Sequence, residues 1–378
     1  MRSLAETVAK GFRESPGDAS VLYYVAVLHA RANHVMEAMA ALRAMVATGA
    51  GLHPRDRDFG AVANEPEYKA LVAEIKRQNS PVSNARVAFK IPDGSLAPEG
   101  IAFSARTKQI YFGSQRKITA ASLDGTLHTF AAPAIGGLIT TLGLRVDEKR
   151  GELWAVSNSI GPVPEGGVIG IFRFRLRDGA LIRVYPIPTG KEDLLNDLAV
   201  APDGTVYVTA SDARLVYRLH PDSGAIEKWL TDLPDPNGIT ITPDGKYLFV
   251  AGWYTIIRIN VATGEMMHLH KPPSIADGCF DGLYWAGDRE LVGIQNCVHD
   301  SGRVMRLKLN PALDTVERAE VLELYNPRFD GITTAAIAGT DLYFVANVQF
   351  HKLDKDGKPT EPLDPLIMLR LSLKHKKQ

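Results

Sequence analysis

The chain has 378 residues, is 45% hydrophobic, and carries 43 Lys plus Arg against 43 Asp plus Glu. Zero net charge argues against nucleic acid or an anionic membrane surface as the main partner, and no run approaches the ~20 apolar residues of a membrane span. The two cysteines, Cys279 and Cys297, form no CxxC pair, which excludes a thiolate metal site or a dithiol redox motif.

The opening MRSLAETVAKGFRESPGD has no apolar core of signal-peptide length. The expectation is a cytoplasmic protein, or a periplasmic or secreted one if a leader has been removed. Residues 1–80 lack strand alternation and read as helices over 3–14, 18–32, 34–48 and 66–79. Asp18 and Asn33 stand where caps belong, and Gly49 and Gly51 follow the third helix. So short a helical stack needs a surface to dock on. It is either a cap on the rest of the chain or a contact module for a partner or a second copy. Residues 78–91 read as a linker running into a strand.

From residue 99 the pattern changes. Six times a lead residue and a Gly or Asp precede an alternating apolar run, a turn and a second apolar run. The pairs are Glu99-Gly100, Leu142-Gly143, Asn196-Asp197, Asn237-Gly238, Asp281-Gly282 and Asp330-Gly331. A period of roughly 40–50 residues built from short strands is the pattern of a β-propeller, one blade per repeat. The expected fold is therefore an all-β six-bladed propeller over 85–378 behind a small α-helical domain at 1–80. Pro202-Asp203-Gly204, Pro243-Asp244-Gly245 and the segment 354–357 read as tight turns rather than calcium loops. The ring should close by pairing a strand at 85–91 with one at 367–373.

Propeller symmetry gathers the lead residues around one mouth of the central channel. They read Glu, Leu, Asn, Asn, Asp, Asp. Such hard oxygen donors suit one divalent cation, calcium first, with magnesium, manganese or zinc as alternatives. The loop after the second strand of each blade returns to the same mouth and brings Gln115-Arg116, Asn158, Trp253-Tyr254 and the segment 296–300. Arg116, Asn158, Trp253 and Tyr254 read as substrate-binding, and His299 as a proton shuttle. Cys279 and Cys297 fall opposite each other across a hairpin, as two small thiols or as a cross-strand pair. A GxSxG elbow, an HExxH helix and a Walker loop are all missing.

On Pro98-Glu99-Gly100, Leu195-Asn196-Asp197, Pro236-Asn237-Gly238 and Asp281-Gly282 with Gly302-Arg303-Val304, the propeller resembles the senescence marker protein/gluconolactonase family. That family is similar in fold and site to paraoxonase and diisopropyl fluorophosphatase. The helical part resembles a tetratricopeptide hairpin, continuing through Asp58 to Val62 and Glu67 to Val72. The resemblance implies divalent-ion ligands at Glu99, Asn196, Asn237 and Asp281. It makes Asp281 the base or nucleophile in the hydrolysis of a small-molecule lactone or related ester. Three departures stand out: a longer 296–301 loop with His299 and Asp300, the extra carboxylate Asp330, and the helices themselves. Two rival readings remain. One is a metal-free, strictosidine-synthase-like enzyme led by Asp330; the other is a non-catalytic binding propeller.

Overall fold

The structure is a computed structural model that describes residues 4–375 apart from 95, 115, 160–162, 188–193, 300 and 355–358. Gln115, Asp300 and most of the 354–357 turn therefore lie outside the described residues. The second strand of each repeat is a nearly continuous apolar run, such as Ile110-Tyr111-Phe112 or Leu248-Phe249-Val250-Ala251, and all of these side chains are fully buried. A strand apolar on both faces needs a sheet packed on either side. A ring of blades supplies this.

Six antiparallel sheets result. Their inner strands are Ile101–Ser104, Thr140–Asp147, Leu195–Val200, Ile239–Ile241, Phe280–Gly287 and Ala335–Ala338. Each inner strand touches the next around the channel, and the sixth touches the first. Blades one to five run outward in chain order. Blade six takes its outer strand, Arg86–Ile91, from the other end of the chain. That strand pairs antiparallel with Leu366–Ser372, with Arg86 opposite Arg370. The expected closure is observed, and the N-terminal side supplies the outer strand. Val82–Ser83 adds a fifth strand to the edge of blade five by pairing with Leu324 and Glu323.

Before the ring come α1 (Leu4–Glu14), α2 (Ala19–Arg31), α3 (Val35–Ala47), the short α4 (Asp56–Phe59) and α5 (Pro66–Gln78). Asp18 caps α2 by accepting from the amides of Ser20 at 2.8 Å and Val21 at 3.1 Å. At α3 the cap falls on His34, which makes no side-chain bond. Asn33 instead takes a left-handed backbone, φ 59. The helical core around Tyr23, Phe59 and Tyr68 continues without a break into Ala276, Cys279 and Val298 of the propeller. The helices therefore lie on the upper loops of blades four and five. Among the described residues no helix is long and apolar enough to cross a membrane.

Candidate active site at the channel mouth

The second residue of each repeat shows how the ring is built. A Cβ on Gly100 would lie 1.7 Å from the carbonyl oxygen of Leu142 in the next blade, and one on Gly238 would lie 2.6 Å from that of Asp281. Inner strands converge there until only glycine fits. Blade three breaks the rule with Asp197. Its buried carboxylate accepts from the amides of Leu198 at 2.8 Å and Ile239 at 3.3 Å, and from Arg145 Nη2 at 2.7 Å. Arg145 also donates to the Ile239 carbonyl at 3.1 Å and stands 4.9 Å from the ring centre of Tyr284. Asp197, Arg145 and Tyr284 thus cross the channel as a hydrogen-bonded plug. Sequence reading missed this plug; its one signal was an Asp where the other repeats carry Gly.

At the mouth, Glu99 and Asn196 line one small cavity together with Thr334. Asn196 donates its amide nitrogen to Ser211 Oγ at 3.1 Å. Asp281 Oδ2 accepts from Asn296 Nδ2 at 2.7 Å, and the Asn237 side chain is a second hydrogen-bond partner of Asp281. The Oδ1 of Asn237 is buried with no partner among the described residues. Burial, with the charges of Asp281 and Asp197 close by, pushes the Glu99 carboxyl up to about 8. Burial likewise lifts Asp281 to about 6, although Asn296 and Asn237 stabilise its anion. No Lys or Arg is among the groups acting on either carboxyl. Arg145, which lines the same small cavity as Glu99, is committed to Asp197. This is a site of two carboxyls that burial hinders from ionising, beside an amide oxygen without a donor among the described residues. Among the described residues no three His, Cys, Asp or Glu side chains form a metal-binding group. The donors here are two carboxylates and two amides.

The remaining predicted residues are placed differently. Asp330 is not on the ring. In blade four Ile239 follows Gly238 directly into the inner strand, whereas in blade six residues 332–334 intervene before Ala335. Thr333 and Thr334 take the sixth seat: Thr333 accepts the Gly282 amide at 3.1 Å, and Thr334 donates to the Glu99 carbonyl. Asp330 sits outward, 3.3 Å from His351 Nδ1. His299 is fully buried, its ring 5.9 Å from that of His53 and 5.5 Å from that of Tyr325, and burial pushes its pKa well down. Neither of its ring nitrogens has a hydrogen-bond partner among the described residues, so it makes no bond to Asp281. Trp253 stacks on Tyr24 of α2 at 5.0 Å. Tyr254 is buried, lies against Gly11 of α1 and donates to Glu14 at 3.3 Å. Both aromatic residues hold the helices. Asn158 is buried and donates to the Leu195 carbonyl at 3.4 Å, while Arg116 is exposed and bonds through its main chain to Ile139.

Cys279 and Cys297 are joined in a disulfide, with Cα atoms 5.7 Å apart. This resolves the choice the sequence left open. The bridge ends one residue from Asn296 and two from Asp281. A second cavity of about 450 Å³ opens between α4 and blades five and six, lined by Arg55, Arg57, Asn296, Asp330, Thr333 and His351 among others. Asn296 and Thr333 are part of its lining, and Asn296 is the residue bonded to Asp281.

Residues 98–261 match the family described as SMP-30/Gluconolactonase/LRE-like region. The match takes in Glu99, Asn196 and Asn237 and ends before Asp281. No curated protein matches the chain. Among solved structures, a gluconolactonase from Xanthomonas campestris is similar at 18% identity over 78% of this chain and 93% of that one, with a TM-score of 0.52. The calcium-binding protein regucalcin from Agrobacterium tumefaciens is similar at 17% identity over 75% and 93%, TM-score 0.52. A luciferin-regenerating enzyme is similar at 14% identity over 75% and 95%, TM-score 0.51. At these identities the likeness establishes the propeller fold.

Proposed function

Taking residues 98–261 as an SMP-30/gluconolactonase/LRE-like region, we propose that the chain is a divalent-metal-dependent hydrolase of a lactone or related ester. One observation carries the reading. Glu99 and Asp281 are two carboxyls lifted to about 8 and about 6 beside the unpartnered Oδ1 of Asn237. Such a set is stabilised by a cation bound between hard oxygen donors. Glu99, Asn196, Asn237 and Asp281 would hold it, calcium being the best match. A set without imidazole or thiolate is a poor match for zinc. When bound, the cation polarises the carbonyl oxygen of the substrate and offsets the charge that develops on it.

The side chains supply the rest. Asp281 is the proton acceptor for the attacking water. Without metal, burial lifts this carboxyl to about 6, and Asn296 and Asn237 hold its oxygens in place. The Asp197–Arg145 pair closes the channel beneath and separates the site from the far mouth. The condensing-enzyme reading loses ground because Asp330 lies off the ring, paired with His351. The scaffold reading loses ground because the helices spend an apolar face on the propeller itself.

The test is hydrolysis of a panel of lactones and aryl esters by the purified chain, before and after chelation. Turnover that EDTA abolishes and calcium restores is the expected result. Turnover indifferent to chelation, or none on any substrate with metal supplied, would overturn the proposal.

A further inference from the structure

The cavity beside the ring is not made by the propeller alone. Its lining includes Asn296 and Thr333, one bonded to Asp281 and the other donating to the Glu99 carbonyl at 3.3 Å. One wall is apolar, with Phe329 and Phe350. Another part of the lining comes from the N-terminal extension and carries Arg55, Asp56 and Arg57. Its volume of about 450 Å³ falls within the range of small-molecule sites.

The charges of this wall are unequally engaged. Arg55 donates to Asp58 through Nε and lies 2.7 Å from it through Nη2, and Nη1 reaches the Asn296 carbonyl at 3.3 Å. That locks α4 against the loop that positions Asp281. Asp56 accepts from the Tyr68 hydroxyl at 3.0 Å on the helical side. Asp330 across the cavity is matched by His351 at 3.3 Å. Arg57 alone of these groups forms no ion pair or side-chain hydrogen bond among the described residues, and it is exposed to the cavity. A planar guanidinium without a carboxylate, on a wall braced by its neighbour, is built for bidentate recognition of one.

We infer that the helical extension completes the substrate cavity, and that Arg57 selects lactones or esters carrying a carboxylate remote from the bond that is cut. This rests on the hydrolase reading above and assigns its substrate class. Arg55 acts as a positioning residue: it holds α4 on the Asn296 loop and does not itself meet the substrate.

The experiment compares two lactones of the same ring, one with a pendant carboxylate and one with a neutral amide in its place. The wild-type full chain is measured against Arg57→Ala and Arg57→Lys. A charge-assisted hydrogen bond contributes on the order of a tenfold or greater effect. The wild type should favour the carboxylated lactone, mainly through KM. Arg57→Ala should reduce that preference about tenfold, and Arg57→Lys should restore part of it. Calorimetric binding of the ring-opened hydroxy diacid gives a readout that needs no turnover, and Arg57→Ala should weaken it by a similar factor. A preference within twofold of wild type in Arg57→Ala overturns the assignment while the hydrolase reading stands. If neither lactone is cut, the hydrolase reading falls and binding of the diacid decides alone. Equal binding to wild type and Arg57→Ala then overturns this inference too.

Discussion

Replacing Glu99 by Gln should stabilise the protein without metal and remove its response to metal. The Glu99 carboxyl goes from an ordinary 4.5 to about 8 in the folded chain because it is buried beside Asp281 and Asp197. The folded state therefore binds a proton that the unfolded state has released. Stability falls as pH rises from about 4.5 to about 8 and then levels off. At 1.36 kcal/mol per pH unit the loss is on the order of 5 kcal/mol. With an unfolding entropy of ~2.1 cal/mol/K per residue, it lowers the melting temperature by roughly 6 °C for a chain of this length. Glutamine keeps the shape and never ionises. Chelated Glu99→Gln should melt several degrees above the chelated wild type at pH 8.5, and level with it at pH 4.5. Calcium at a hundredfold its Kd adds about 2.7 kcal/mol to whatever binds it, so the wild type should regain roughly half of the difference and the variant should gain little. The assay is a thermal melt across pH 4–9 with EDTA or calcium. A chelated variant that melts below wild type at pH 8.5 would refute the reasoning, because the carboxylate would then be stabilising the apo fold. An equal calcium shift in both proteins would remove Glu99 from the ligand set.

Asp281→Asn keeps both the shape and an amide oxygen, so the fold should be retained while kcat on a hydrolysed lactone falls by about 10²–10⁴; unchanged turnover would reassign the base. Arg145→Met leaves Asp197 buried and unpaired, which should cost about 3–5 kcal/mol in chemical denaturation, and a neutral result would mean that the plug is hydrated. Cys297→Ser removes the staple across a hairpin with a sequence separation of 18. It should lose about 3 kcal/mol of stability by loop entropy, and reducing agent should affect wild type but not the variant.

The blades were legible because they repeat. One repeat of apolar runs and turns is ambiguous, but six in register leave few other folds, and the four helices were bounded to within two residues by periodicity and caps. The nearness of Glu99 to Asn196 and of Asn237 to Asp281 was legible for the same reason, since symmetry converts equal spacing into nearness. Asp330 failed because the three residues 332–334 break the register of blade six, and an inserted turn is invisible to a pattern that only marks starts. Trp253, Tyr254 and His299 failed for another reason. The mouth was correctly placed, but nothing in a linear pattern says which sector of it the extension covers. Tyr24 and Gly11, the residues that bury the two aromatics, lie more than two hundred positions away. Arg145 had no repeat partner at all; it was found only through the carboxylate it meets.

The closure of blade six has a consequence for how the molecule comes into being. Residues 86–91 are synthesised well before the strand they pair with, Leu366–Ser372. Until that strand is made, the earlier segment is without its mate. An unpaired edge of this kind invites association with other chains, and contacts so distant in sequence form slowly. The upstream helices share this delay, because the surface they cover includes Ala276, Cys279 and Val298. The chain therefore cannot mature from one end to the other. Residues 86–91 and the helices before them wait for the blades that follow, and the ring, the cavity wall and the helical cap are completed together.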